Sequence, residues 1–177
     1  MPIIATKGSG TNFAPAPDGP HSAVCVDVVD LGNLDVTYKN KTKSQHKIKI
    51  VWQIDEDRDD GKPHQVSQRY TLSLHEKAKL RADLESWRGK PFTDAELEGF
   101  DVENVIGVAC MVNVVHNVSA GNVYANVAAI MKLPKGVPPL KAREYTRVID
   151  REPLPAGTPA DATQPNWGEI TDDDIPF

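Results

Sequence analysis

Lys39, Lys41, Lys43, Lys47 and Lys49 fall between Val36 and Ile50 with no acid among them, and Tyr38 stands at their head. Ammonium groups set this densely can neutralise phosphates and release condensed counterions, which gives affinity without sequence preference. A ring beside them offers a face on which an unpaired base can stack. Arg69, on a stretch that alternates against Tyr70, is a further candidate phosphate contact. Tyr124 and Asn126, two residues apart and so on one face of a strand, are candidate groove residues. The competing reading is an edge of lysines that discourages strand-to-strand aggregation.

The second chemical signal is the terminal run Asp172-Asp173-Asp174-Ile175-Pro176-Phe177. Acidic ends often serve only solubility. An apolar ring and an α-carboxylate behind three aspartates fit something more specific. A basic-rimmed hydrophobic pocket on another protein can take the Phe, while the acids steer the encounter. Trp167 is a possible second docking residue, with spacer as the simpler assignment.

These groups need elements to carry them. Val24, Val26 and Val28 repeat with period two and mark a first strand ending at Leu31-Gly32-Asn33, followed by a polar connection. A second strand is expected over 45–54, with Ile48, Ile50, Trp52 and Ile54 facing one side and Lys47, Lys49, Val51 and Gln53 facing the other. Residues 55–64 read as an acidic hairpin tip, and a third strand over 66–74. Over 76–87 the period turns helical, with Ala78, Leu80, Leu84 and Trp87 as the apolar stripe, stopped by Gly89 and Pro91. A short helix is expected over 94–97. Strands over 105–116 and 123–133 flank Ser119-Ala120-Gly121-Asn122, which is good hairpin chemistry. The segment from Pro134 to Asp150 adds a short helix or wraps the barrel. Trp52, Tyr70 and Trp87 are in phase with aliphatic residues and belong to the core.

Three strands, a helix and two strands predict a mainly β protein. The expected form is a five-stranded OB-fold barrel with one main helix between strands 3 and 4, and with disordered termini. Its expected divisions are a flexible arm over 1–20, the barrel over 21–150 and a disordered acidic tail over 151–177. Apolar residues are 40% of the 177, enough for one core, and most of the 14 prolines lie at the two ends. The net charge of −5 is localised: Asp161, Glu169, Asp172, Asp173 and Asp174 account for the whole excess, with no Lys or Arg after Pro153. Charge distribution, not its sum, is the informative quantity.

The chain's ending resembles the terminal peptide of bacterial single-stranded DNA-binding proteins, which recruits repair and replication enzymes. Its middle resembles phage and prophage single-stranded DNA-binding proteins. The matching runs are Leu84-Glu85-Ser86-Trp87-Arg88-Gly89-Lys90-Pro91-Phe92-Thr93, Ile106-Gly107, Val112-Asn113-Val114-Val115-His116 and Tyr124-Ala125-Asn126-Val127, within roughly 66–136. The amino-terminal strand pattern departs from that of the bacterial tetrameric family, so oligomeric state is left open. The resemblance implies a protein that coats single-stranded DNA in replication, recombination or repair. It also implies partners such as exonucleases, helicases and polymerase subunits, recruited through residues 172–177. The alternatives are a protein-interaction adaptor and a strand-annealing accessory.

No enzyme is expected. His21, His46, His64, His75 and His116 are scattered without metal-ligand spacing, and no nucleophile elbow, phosphate loop or dinucleotide fingerprint occurs. The acids Asp55, Glu56, Asp57, Asp59 and Asp60 lack the spacing of a calcium loop. Neither a cofactor nor a metal is expected. Cys25 and Cys110 sit in apolar runs and are expected to be buried and reduced, which fits a cytoplasmic setting, that of the bacterial host if the chain is phage-encoded. No secretory leader or membrane association is expected.

Overall fold

A computed structural model describes residues 14–151. Within it β1 (Gly19–Tyr38), β2 (Lys41–Asp57), β3 (Pro63–Thr71), β4 (Ala109–Ser119) and β5 (Asn122–Met131) form one antiparallel sheet of order β3-β2-β1-β4-β5. Between β3 and β4 the chain makes α1 (Lys79–Arg88), α2 (Asp94–Glu98) and a 3-10 turn at Val102–Val105. The protein is mainly β, and the expected tail apart from Arg151, with most of the expected arm, lies outside the described residues.

One face of the sheet carries the core. Ile48, Ile50, Trp52 and Ile54 of β2 are buried there with Ala23 and Cys25 of β1, Val66 and Tyr70 of β3, Val112 and Val114 of β4, and Val127 and Ile130 of β5. Leu80, Leu84 and Trp87 bring the apolar stripe of α1 onto this layer, and Trp87 meets Trp52 at 5.9 Å between ring centroids. Polar bonds fix the helix: Tyr70 Oη donates to Asp83, Ser86 Oγ donates to the Ile130 carbonyl, and Trp87 Nε1 donates to the Ala109 carbonyl. Gly89, at φ 70°, ends α1 in the left-handed conformation that glycine adopts without steric cost. Thr93 and Glu96 then open α2 with a capping box. The apolar start of the core lies upstream of the expected His21, because Ala16 is buried and its carbonyl accepts from His116 Nε2.

Two hairpins run further than periodicity indicates. β1 does not end near Asn33; it continues to Tyr38, turns through Lys39 and Asn40, and returns as β2 from Lys41. Both turn residues have positive φ (45° and 63°), as a type I′ turn requires. Ala120 and Gly121 do the same between β4 and β5 (48° and 78°). In the β1–β2 extension both faces are largely exposed, so no apolar alternation marks it and the local sequence reads as a connection. β3 ends at Thr71, short of the expected 74, and Leu72 is exposed. Val105 belongs to the 3-10 turn and not to β4.

The segment after β5 wraps the sheet. Leu140 and Tyr145 pack on Val24, Val26 and Val51, on the face opposite the core. Gln53 holds the strap by two bonds to the Arg143 backbone, donating to its carbonyl at 2.6 Å and accepting from its N–H at 2.8 Å. Asp27, only 1% exposed, accepts from Tyr145 Oη, Arg147 Nε and the Val148 N–H. This strap explains why Val51 and Gln53, on the same side of β2 as Lys47 and Lys49, are nevertheless buried. No described helix is long and apolar enough to cross a membrane.

Candidate nucleic-acid interface

Strand pairing brings the lysines to one surface. Residues directly opposite in a ladder share a face, and alternate residues along a strand do too. Lys41 pairs with Tyr38, Lys43 with Val36, Gln45 with Leu34, Lys47 with Gly32 and Lys49 with Val29. On the other side of β2, Lys47 faces Thr71 and Lys49 faces Arg69. Tyr38, Lys41, Lys43, Lys47, Lys49 and Arg69 therefore form one strip, which continues the outer face that the strap covers further along. From Lys41 to Lys49 it runs about 27 Å at the usual rise of a strand.

The other face of the same hairpin carries the acids. Asp35 opposes Ser44, Thr37 bonds Thr42 across the pair, and Asp30 Oδ1 meets His46 Nε2 at 2.6 Å. Charge is thus sorted by face. The acidic tip between β2 and β3 lies at the opposite end of β2 from Tyr38.

Electrostatics single out the middle of the strip. Half-buried Lys49 titrates below the ordinary lysine range, first because burial penalises its charge and then because Arg69 and Arg151 stand near it. Asp27 offsets part of this. Among the described residues no carboxylate lies within ion-pair distance of Lys49 or Arg69. An anion placed there relieves the repulsion among three cations. Lys47 Nζ is held by Thr71 Oγ1 at 2.7 Å, and Thr71 in turn donates to Gln45 Oε1. At the far end Tyr38 is 51% exposed, with Lys39 Nζ 5.2 Å from its ring centroid.

Tyr124 and Asn126 stand elsewhere. They share a face on β5, opposite Asn117 and Val115 of β4, and Tyr124 is partly exposed. They belong to the β4–β5 hairpin and not to the strip on β1, β2 and β3. Residues 172–177 lie outside the described residues. The strip also has members that sequence reasoning missed. Leu34 and Val36 supply apolar surface between the lysines; their phase relative to Tyr38 was available, but only once β1 was carried past Asn33. Arg151 had no local signal, because the strap delivers it from the end of the described chain.

Cys25 and Cys110 are buried and free, as their apolar context suggested. Burial pushes the Cys25 thiol up to about 12 and raises Cys110 as well, so neither is a thiolate near neutrality.

No protein-family model matches the chain, and a search of curated proteins finds no match.

Proposed function

We propose that this chain is a sequence-tolerant single-stranded DNA-binding protein whose strip on β1, β2 and β3 holds the strand. The observation that carries the reading is the register of Lys41, Lys43, Lys47 and Lys49 with Tyr38, Val36 and Leu34 on one face, with Arg69 alongside. Cations alternating with an exposed ring and aliphatic surface suit a polyanion whose bases are free to stack. A duplex hides its bases and offers only phosphate.

The OB architecture belongs to the same proposal. The sheet order, with α1 between β3 and β4, is that of an OB barrel in which the two outer strands meet. Cα atoms of β3 and β5 approach within 8 Å, which supports closure. The face of the second and third strands, with the connections between strands 1 and 2 and between strands 4 and 5, is where such barrels take oligonucleotides. Residues 172–177 then act as a docking peptide that brings replication or repair enzymes to the coated strand.

Anisotropy of a labelled oligothymidine, with duplex competitor, tests the reading. Single-strand binding that survives duplex excess and weakens steeply with salt is the expected result. Absence of binding at low salt, both for the full chain and for a chain ending at 171, overturns it.

A further inference from the structure

The fold assembles a group of side chains at the end of β2 remote from Tyr38, where it meets the start of β1. A ring nitrogen of His21, a carboxylate oxygen of Asp55 and one of Glu56 all lie within 4.8 Å of one another, with His21 Nδ1 facing Asp55. They are 34 and 35 residues apart in sequence and meet because β1 runs antiparallel to β2. We propose that His21, Asp55 and Glu56 bind a divalent transition ion of the zinc class, with water completing the coordination. The proposal is independent of the DNA-binding reading.

Three features of the group point to an ion. The His21 side chain is 8% exposed and already committed at its other nitrogen: Nε2 lies 2.7 Å from the Pro17 carbonyl. A carbonyl oxygen only accepts, so Nε2 is the donor there, and in the neutral tautomer that this bond fixes the Nδ1 lone pair faces the two carboxylates. Metal-bound histidines are oriented by this kind of second bond.

The spacing is the second feature. Nδ1 and the Asp55 oxygen are 3.4 Å apart. That is long for a strong charge-assisted hydrogen bond. It matches the edge of a tetrahedron: a ligand distance of about 2.0–2.1 Å sets neighbouring ligands about 3.3–3.4 Å apart.

Third, the carboxylates are in position and, among the described residues, have no lysine or arginine partner. The β2–β3 ladder is irregular between Gln53 and Asp57, and such breaks re-aim side chains so that consecutive residues can converge. Asp57 is bound to Arg143 and Asp60 to Arg58, but among the described residues no lysine or arginine pairs with Asp55 or Glu56. One nitrogen and two carboxylates suit zinc better than calcium or magnesium, which prefer all-oxygen shells. The ion would tie the lead-in at Pro17 and β1 to the end of β2.

The test uses full-length protein stripped with a chelator and titrated with Co²⁺, with Zn²⁺ as competitor. The ligand-field bands of Co²⁺ report four-coordinate geometry, and thermal unfolding with and without Zn²⁺ reports linkage to folding. Expected are one ion per chain displaced by Zn²⁺, a rise in Tm on saturation, and affinity lowered at least about tenfold in Asp55→Asn and in Glu56→Gln. Both carboxylates are exposed, so these variants fold even if His21→Gln does not. A control with Asp172, Asp173 and Asp174 all changed to Asn keeps the site. No four-coordinate Co²⁺ signal, or equal binding by the Asp55 and Glu56 variants, overturns the proposal and leaves His21–Asp55 as an ordinary ion pair.

Discussion

Replacing Lys41, Lys43 and Lys47 together by Gln removes three of the five cations that strand register sets on one face. For single strands, log K falls against log salt with a slope of about −0.7 per neutralised phosphate. If each of the five meets a phosphate, the slope is about −3.5, and raising salt from about 50 to about 200 mM weakens binding roughly 130-fold. With two cations left the slope is about −1.4 and the same change costs only about sevenfold. The matched control changes Lys62, Lys77 and Lys90 to Gln. These are exposed and off the strip, and the net charge changes equally. Anisotropy titrations at four salt concentrations give both slopes. If the two triple variants lose slope equally, binding follows net charge and not the strip. If neither loses any, the lysines meet no phosphate, and the reasoning from register to contact is wrong.

Lys49→Gln is expected to weaken DNA binding while raising Tm, because it removes a half-buried charge crowded by Arg69 and Arg151; a fall in Tm by calorimetry counts against that crowding. Asp27→Ala leaves the Val148 N–H and the Tyr145 hydroxyl without their acceptor, while Arg147 keeps Glu103, and is expected to cost about 3 kcal/mol in urea unfolding. It should also admit trypsin at Lys141 and Arg143, and an unchanged digestion pattern would mean the strap is held by other contacts. Glu96, depressed to about 2 by its bonds from Arg88 and Thr93, contributes stability that is complete above the ordinary carboxylate range and lost as pH falls through about 2. Glu96→Gln should therefore flatten the stability–pH curve between about 4.5 and 2, measured by denaturant midpoints, and a curve that keeps its slope assigns the acid sensitivity to other groups.

The core was legible because one-sided burial writes itself into sequence. Ile48, Ile50, Trp52 and Ile54 alternate, Leu80, Leu84 and Trp87 follow a helical period, and both sets are buried as their phase requires. The basic strip was legible in residue type but not in extent. Where a ribbon has solvent on both sides, no apolar period is imposed, so residues 34–44 read as a connection even though all but Lys39 and Asn40 pair. The strap was illegible for a different reason. Its anchors are Gln53 to Arg143 and Asp27 to Tyr145, Arg147 and Val148, pairs about 90 to 120 residues apart that no local pattern can couple. The group at His21, Asp55 and Glu56 is of the same kind: a scattered histidine gains neighbours only when β1 and β2 pair.

The strap also decides where a binding strip can begin. An outer sheet face with Val24, Val26 and Val51 on it would be an exposed apolar patch, and covering it with Leu140 and Tyr145 removes that liability. The cover requires the chain to run along β1 and β2, which brings Arg147 onto buried Asp27 and Arg151 close to Lys49. Arg151, the last cation of the strap, thus falls beside Lys49, where the strip begins. Beyond that point no described segment covers β1 and β2, and their outer residues change from Val51 and Gln53 to Lys49, Lys47, Lys43 and Lys41. A hairpin that must stay uncovered has no reason of stability to gather like charges on one side, because repulsion among them opposes folding. The lysines could have been shared between two exposed faces at lower electrostatic cost. Their confinement to one face, with Asp35 and the Asp30–His46 pair on the other, is the arrangement expected when a polyanion completes the surface.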